Sequence, residues 1–223
     1  MSLSENKQLT HYKGLNLYQV NQHNLPYFSN FVFKWYRYHY AKQYNWQPAD
    51  QVQQAMHTSD AQRFHQSVCF AFANAAEEIL GTIKVTYQIA GDVFPIEQEF
   101  HIDLQQVIQE RQLAVQHIWH LGRLAIDSHT LRREYPDIRS KELVTQLVRQ
   151  AFLIVDQNPR SLVVAESDAL IYQLFRSIGI NMQKIGPSQE CLGSPTYPVI
   201  MTGPDIHDWL VALEQGRAVP LGC

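Results

Sequence analysis

The chain has no surplus of positive charge: 18 Lys and Arg face 21 Asp and Glu over 223 residues, a formal net charge of −3. Without a basic field to gather a phosphate backbone, nucleic acid is not the expected partner. Cysteine is scarce. Cys69, Cys191 and Cys223 have no metal-ligand spacing, and an odd count outside any disulfide framework suits a reducing compartment. Cys69 and Cys191 read as packing residues. No run of about 18 apolar residues occurs, and the opening "MSLSENKQLTHYKG" lacks the basic start and apolar stretch of a signal peptide. A soluble cytoplasmic protein with no transmembrane segment is therefore expected. Repeats, low-complexity tracts and Pro/Gly/Ser-rich linkers are also missing, so the chain reads as one domain over 1–223. Its 45% hydrophobic content is enough for a real core.

The elements follow from periodicity. Phe28, Phe31, Val32, Trp35, Tyr36 and Tyr40 recur at helical spacing within 25–46. Residues 67–89 are two apolar runs split by Asn74 to Glu78, which predicts a hairpin, with Gly81 at a bulge or close approach. A short helix opens near Asp103, and a strand covers 117–126. A loop then feeds a helix with Leu143, Leu147, Ala151 and Ile154 on one face and an N-cap region at Ser140 and Glu142. "SLVVAE" (161–166) is a buried strand, followed by a helix from Ser167 or Asp168 to Ser177 that ends at Gly179. "INMQKIGP" and 197–202 read as late strands. The order predicts a mixed sheet with helices on its faces.

The strand at 117–126 opens "HIWHLGRLAIDS", two histidines, a tryptophan and an arginine where a core strand should be apolar. Strand, loop and helix, then strand, helix and strand, is the layout of the GNAT-type acyltransferases. The stretch resembles the Glu-x-Ser-Arg strand of the acyl-homoserine-lactone (autoinducer) synthases and the N-acyl amino acid synthases in that superfamily. Arg123 falls on the motif arginine, Gly122 on its serine and His120 on its glutamate. Trp46 matches the tryptophan ending the family's first-helix motif, and Tyr40 an aromatic position within it. "ILGTIKV" (79–85) resembles its GxxR strand with Lys84 replacing arginine, and "FRSIGINMQKIGP" its late helix end and strand. The resemblance covers roughly 25–202. It implies an α/β, GNAT-like three-layer sandwich, whose mixed twisted sheet is flanked by helices and whose central strand is splayed near Gly122.

The sequence also departs from that pattern. Arg37 lies one position from where the synthases place their first-helix arginine. Of their Asp-x-x-Asp pair only Asp60 is present, with His65 where the last acid should be. Those groups shape the S-adenosylmethionine site of the lactone synthases, so another amine acceptor is expected.

N-acylation needs a base near an attacking amine, and imidazole, with an unperturbed pKa of about 6.5, suits the task. His120 is thus the candidate base, with Arg123 beside it as a catalytic candidate. Positions 120 and 123 point to opposite faces of a regular strand, so both reach one site only if the ladder breaks, for which Gly122 is the expected bulge. The competing reading makes both structural, one bonded to backbone and the other paired with an acid such as Asp127.

The resemblance implies an acyl-phosphopantetheine thioester as donor, held along the backbone of Leu124, Ala125 and Ile126. The following segment, "EYPDIRSKEL", has no glycine for a pyrophosphate cradle. Arg132, Arg133, Arg139, Ser140 and Lys141 instead suit the single phosphate and acidic surface of an acyl carrier protein, with CoA as the other source. The competing reading is a solvated loop balanced by Glu134, Asp137 and Glu142. Arg37 and Trp46 are expected at the acceptor pocket. Tyr172, in "LIYQLFRSIG", reads first as packing; the resemblance to GNAT enzymes implies a second reading, a substrate contact that protonates the departing thiolate. His117 with His120, or His101 with Asp103, does not complete a ligand set, so no metal is expected. The function read is transfer of an acyl group from a carrier-protein or CoA thioester to a small amine such as an amino acid. A short-chain acetyl-CoA-dependent enzyme and a non-catalytic thioester or carrier-protein binder are the alternatives.

Overall fold

Residues 3–216 are described by a computed structural model; Cys223 lies outside them. The chain opens with strands β1 (Lys7–Tyr12) and β2 (Leu15–Gln19), then helices α1 (Leu25–Tyr44) and α2 (Asp50–Gln62). The hairpin β3 (Ser67–Ala73) and β4 (Ile79–Tyr87) leads to short helices α3 (Pro95–Gln98) and α4 (Leu104–Glu110). Strand β5 (His117–Ile126) is followed by α5 (Ser128–Glu134), α6 (Ser140–Val155), β6 (Ser161–Asp168) and α7 (Ala169–Ser177). Strands β7 (Gln183–Lys184), β8 (Gln189–Cys191) and β9 (Ser194–Thr202) precede α8 (Gly203–Glu214). Among the described residues the result is a mixed α/β architecture of nine strands with helices. The chain divides into two compact units, 1–86 with 122–151 and 87–121 with 152–223, and β5 passes from the second to the first at Gly122.

In the first unit β1 to β4 form an antiparallel meander. The turn into β4 is built by Asn74, whose Oδ1 accepts the N–H groups of Ala76 and Glu78 at 3.0 and 2.9 Å. Phe28, Val32 and Trp35 of α1 are buried in one cluster with Cys69, Ala71 and Ala73 of β3 and Ala125 of β5. This apolar stripe drives helix α1 onto the sheet. Leu143, Val144, Leu147 and Val148 give α6 the same kind of buried face. The ladder between β3 and β4 shifts register at Phe72/Ala73, opposite Gly81. A Cβ on Gly81 would lie 2.8 Å from the tip of Ile126 and 3.1 Å from those of Leu143 and Leu147, so both expected reasons for a glycine apply.

One carboxylate is buried in this unit. Asp60 of α2 is 1% exposed. It accepts from Ser29 Oγ of α1 at 2.7 Å, from Lys84 Nζ of β4 at 2.5 Å and from Arg123 Nε of β5 at 2.9 Å. Burial alone would raise its pKa, but the Arg123 and Lys84 charges and the hydrogen bonds more than offset this and hold the carboxyl below its ordinary range.

In the second unit the first half of β5 runs parallel to β6, in register from His117↔Ser161 to His120↔Val164. Strand β6 pairs antiparallel with β9 as far as Asp168↔Thr196, and β7 and β8 also pair with β9. Phe94, Ile96, Leu104, Ile118, Leu162, Val164 and Ile200 form its core. Asp168 caps α7, accepting from Ile171 N at 2.7 Å. Gly203 opens α8 where a Cβ would run into the backbone carbonyl of Pro159.

Several elements differ from the sequence reading. The expected loop after β5 contains α5, capped by Asp127, which accepts from Thr130 N at 2.8 Å. Ser140 is the first residue of α6 rather than a residue ahead of it. "INMQKIGP" contributes only two strand residues. Strands β1 and β2 and helices α2 and α8 were not foreseen.

Gly203→Ala, facing a fixed carbonyl, should cost about 1–3 kcal/mol, lowering the melting temperature by about 2–4 °C per kcal/mol. Gly81→Ala meets only rotatable side-chain tips and should cost less. Asp60→Asn leaves Lys84 and Arg123 without their counter-charge and should cost about 3–5 kcal/mol in urea unfolding. Because the Asp60 pKa is depressed on folding, its contribution is complete above the unfolded value of about 3.9 and lost as pH falls through the lower folded value. The variant's stability should therefore depend less on pH in that acid window.

Candidate active site

His120 is the last residue of β5 in register with β6. Two residues beyond Val164, its register partner, Glu166 presents Oε2 to His120 Nε2 at 2.7 Å. Their side chains are 13% and 15% exposed, desolvated enough to strengthen the contact yet reachable. The Phe94 ring lies across the imidazole, with centroids 5.3 Å apart and planes 37° apart. An ionised Glu166 can only accept, so Nε2 carries the hydrogen and Nδ1 holds the free lone pair. Nδ1 has no hydrogen-bond partner among the described residues. Nearby in β5, His117 Nδ1 is 3.0 Å from the Tyr87 hydroxyl, and Trp119 packs edge-on against the Tyr87 ring.

Arg123 lies in the first unit with Asp60. The expected irregularity at Gly122 falls one residue later: Arg123 itself has φ of 56°, the left-handed region. For a residue with a side chain this costs roughly 1–2 kcal/mol. Thr82 Oγ1 donates to the Arg123 carbonyl at 2.9 Å and helps hold the kink. Arg123 pairs with Asp60, not Asp127, whose side chain caps α5. His120 and Arg123 thus belong to two networks with no shared residue.

Lys84 is 4% exposed, and burial, with the Arg123 charge, pulls its pKa down against the opposing pull of Asp60. Cys69 is also affected: burial pushes its thiol up to about 12, so it stays protonated. Cys191 in the second unit is likewise raised, to about 11, by burial and then by Glu99 and Glu166, so neither thiol is poised as a nucleophile.

The other candidates are spread more widely. Ala125 is buried, and Leu124 and Ile126 are half-buried in β5. Arg132, Arg133, Arg139 and Lys141 are exposed in and around α5 and α6, and Arg133 pairs with Glu134 at 2.6 Å. Arg37 is exposed on α1 and lines a cavity of about 860 Å³ with Trp35, Tyr38 and Lys42. Trp46 lies just past the end of α1, half-buried and edge-on to Tyr40 at 6.0 Å. Tyr172 of α7 faces Tyr197, with Lys184 Nζ 4.7 Å from its ring centre. Among the described residues no group of three or more His, Cys, Asp or Glu could hold a metal ion, and no helix is long and apolar enough to cross a membrane.

The sequence reading missed Glu166 as a partner of His120. The only signal was an acid at the end of the apolar run "SLVVAE", which reads equally well as a strand leaving the core.

No protein-family model matches the chain, and no curated protein matches it by sequence. Solved structures do match its fold. FeeM, an N-acyl amino acid synthase from uncultured soil microbes, superposes with a TM-score of 0.65 at 12% identity, over 94% of this chain and 99% of FeeM. The AHL synthase LasI gives 0.56 at 10% identity, over 98% and 99%. A GNAT-family acetyltransferase from Staphylococcus aureus Mu50 gives 0.53 at 8% identity, over 84% and 98%. The fold of this chain is therefore that of the GNAT-type acyltransferases, including the N-acyl amino acid synthase and lactone synthase branches.

Proposed function

We propose that this protein is an N-acyltransferase, moving an acyl group from a phosphopantetheine thioester to a small amine such as an amino acid. The observation that carries the reading is the part-buried His120–Glu166 pair at the end of the β5–β6 register. FeeM, an N-acyl amino acid synthase, and LasI, an AHL synthase, support it through the shared fold.

In this mechanism Glu166 holds the Nε2–H tautomer and stabilises the imidazolium that forms, while Nδ1 takes the proton of the attacking amine. A C–N bond forms at the thioester carbonyl, the C–S bond breaks, and the departing thiolate receives that proton. His120 thereby ends each turnover as it began. The exposed Arg132, Arg139 and Lys141, with Ser140 at the start of α6, form a basic segment suited to the phosphate and acidic surface of an acyl carrier protein. The carrier-bound donor is accordingly preferred to CoA.

Incubation with acyl carrier-protein and acyl-CoA donors from acetyl to long chain, against a panel of amines, should yield N-acyl amines by mass spectrometry. Donor binding with no product from any pair would overturn the enzyme reading in favour of a non-catalytic binder. His120→Ala should lower kcat by on the order of 10²-fold or more with little change in donor KM, and full activity across pH would refute its role. Glu166→Gln should lower kcat by a smaller factor, because it removes the orienting charge and leaves the base in place.

A further inference from the structure

We infer that the exposed face of α1 docks on an anionic lipid bilayer, with a phospholipid seated in the cavity beside Arg37. The surface lies wholly in the first unit and does not depend on acyl transfer.

Charge is distributed unevenly along the chain. The protein carries a formal net charge of −3, yet residues 6–49 contain no Asp or Glu and include Lys7, Lys13, Lys34, Arg37 and Lys42. The next acid, Asp50, opens α2. Lys13 pairs with Glu142 at 2.7 Å. Lys34, Arg37 and Lys42 are exposed on α1 and have no ion pair among the described residues. Such a local surplus on a protein of negative net charge marks a surface for an anion.

The same stretch of helix is rich in rings and borders a cavity. Lys34, Arg37 and Lys42 line a volume of about 860 Å³ together with Phe33, Trp35 and Tyr38. That size is within the range of ligand pockets. Phe33 and Trp35 are 7% and 5% exposed, whereas Tyr38 is 47% exposed. Tyr38 stands edge-on to Trp35 with ring centres 5.3 Å apart, and Lys34 Nζ lies 5.3 Å from the Trp35 ring centre. Trp35 Nε1 is buried and has no acceptor among the described residues. An unsatisfied buried donor is costly, and the phosphate and ester oxygens of a phospholipid are acceptors.

Cations around an aromatic cavity suit a molecule with an anionic head and an apolar tail. Nucleic acid and acidic proteins offer the charge without the tail. A bilayer also matches the way α1 is built, because no helix among the described residues is long and apolar enough to cross a membrane. A helix with basic and aromatic side chains instead lies at the interface, its rings at headgroup depth and its cations against the phosphates.

Vesicle flotation of the intact protein tests the surface. Vesicles of equal parts phosphatidylcholine and phosphatidylglycerol should carry the protein upward, and phosphatidylcholine alone should not. Raised salt should release it, because exposed charges are screened. The triple variant Lys34→Gln/Arg37→Gln/Lys42→Gln should bind about a hundredfold more weakly, about fivefold for each cation removed. Bromines on the lipid acyl chains separate seating in the cavity from adsorption by charge: they should quench indole emission in the wild type, and most of that quenching should vanish in Trp35→Phe. Dihexanoylphosphatidylglycerol, kept monomeric, should compete with vesicles for the wild-type protein. Equal flotation with both vesicle types, unchanged affinity in the triple variant, quenching that survives Trp35→Phe, or no competition by the monomeric lipid would each overturn the assignment. Displacement from vesicles by polyglutamate or duplex DNA as effective as that by the short-chain lipid would also overturn it, in favour of acidic protein or nucleic acid. The wild-type arms need no variant to fold.

Discussion

Asp60 cannot remain an ion in the protein interior unless positive charge is brought to it. Much of the first unit is arranged to do so: α1 supplies Ser29, β4 supplies Lys84 and β5 supplies Arg123. The left-handed φ at Arg123 is intelligible in these terms, because the strand departs from regular geometry where its side chain pairs with the buried carboxylate. A strain of roughly 1–2 kcal/mol is small beside the cost of leaving a buried carboxylate unpaired. Electrostatics rather than apolar packing therefore accounts for the kink in the strand.

How much of this can be read in the sequence varies with the range of the interaction. Strand β5, the β3–β4 hairpin and the end of α7 at Gly179 are encoded locally, by alternation, turn residues and glycine, and match their expected places. The kink is not local: Asp60 lies 63 positions from Arg123, and no spacing rule links them. Gly122 attracted attention because glycine tolerates irregular backbone, yet the conformation belongs to the residue that has a partner to reach. Helix α5 escaped because seven residues are too few to show a period. Strand β1 escaped because it is half-exposed or exposed throughout, which erases the apolar alternation that marks a strand.

Glu166 shows the same limit at a second site. A glutamate ending an apolar run is unremarkable until the β5–β6 register is known. Once His120 is set opposite Val164, Glu166 is only two residues further along β6, on the same face of the strand as Val164. The pairing of His120 thus depends on a register that sequence patterning does not specify. The resemblance to the synthases singles out His120 but not its partner.

Under the proposed function, a histidine at the place of the motif glutamate makes chemical sense. A lone glutamate, with an unperturbed pKa near 4.3, is a weak acceptor at neutral pH unless its surroundings raise it, whereas imidazole needs no such adjustment. In the proposed mechanism the carboxylate stands on β6 and acts through the imidazole. Proton acceptance would then fall to a group suited to it, and the negative charge would orient that group and stabilise its protonated form. On the proposed function, a histidine at this place on β5 is compatible with acyl transfer because Glu166 stands beside the ring.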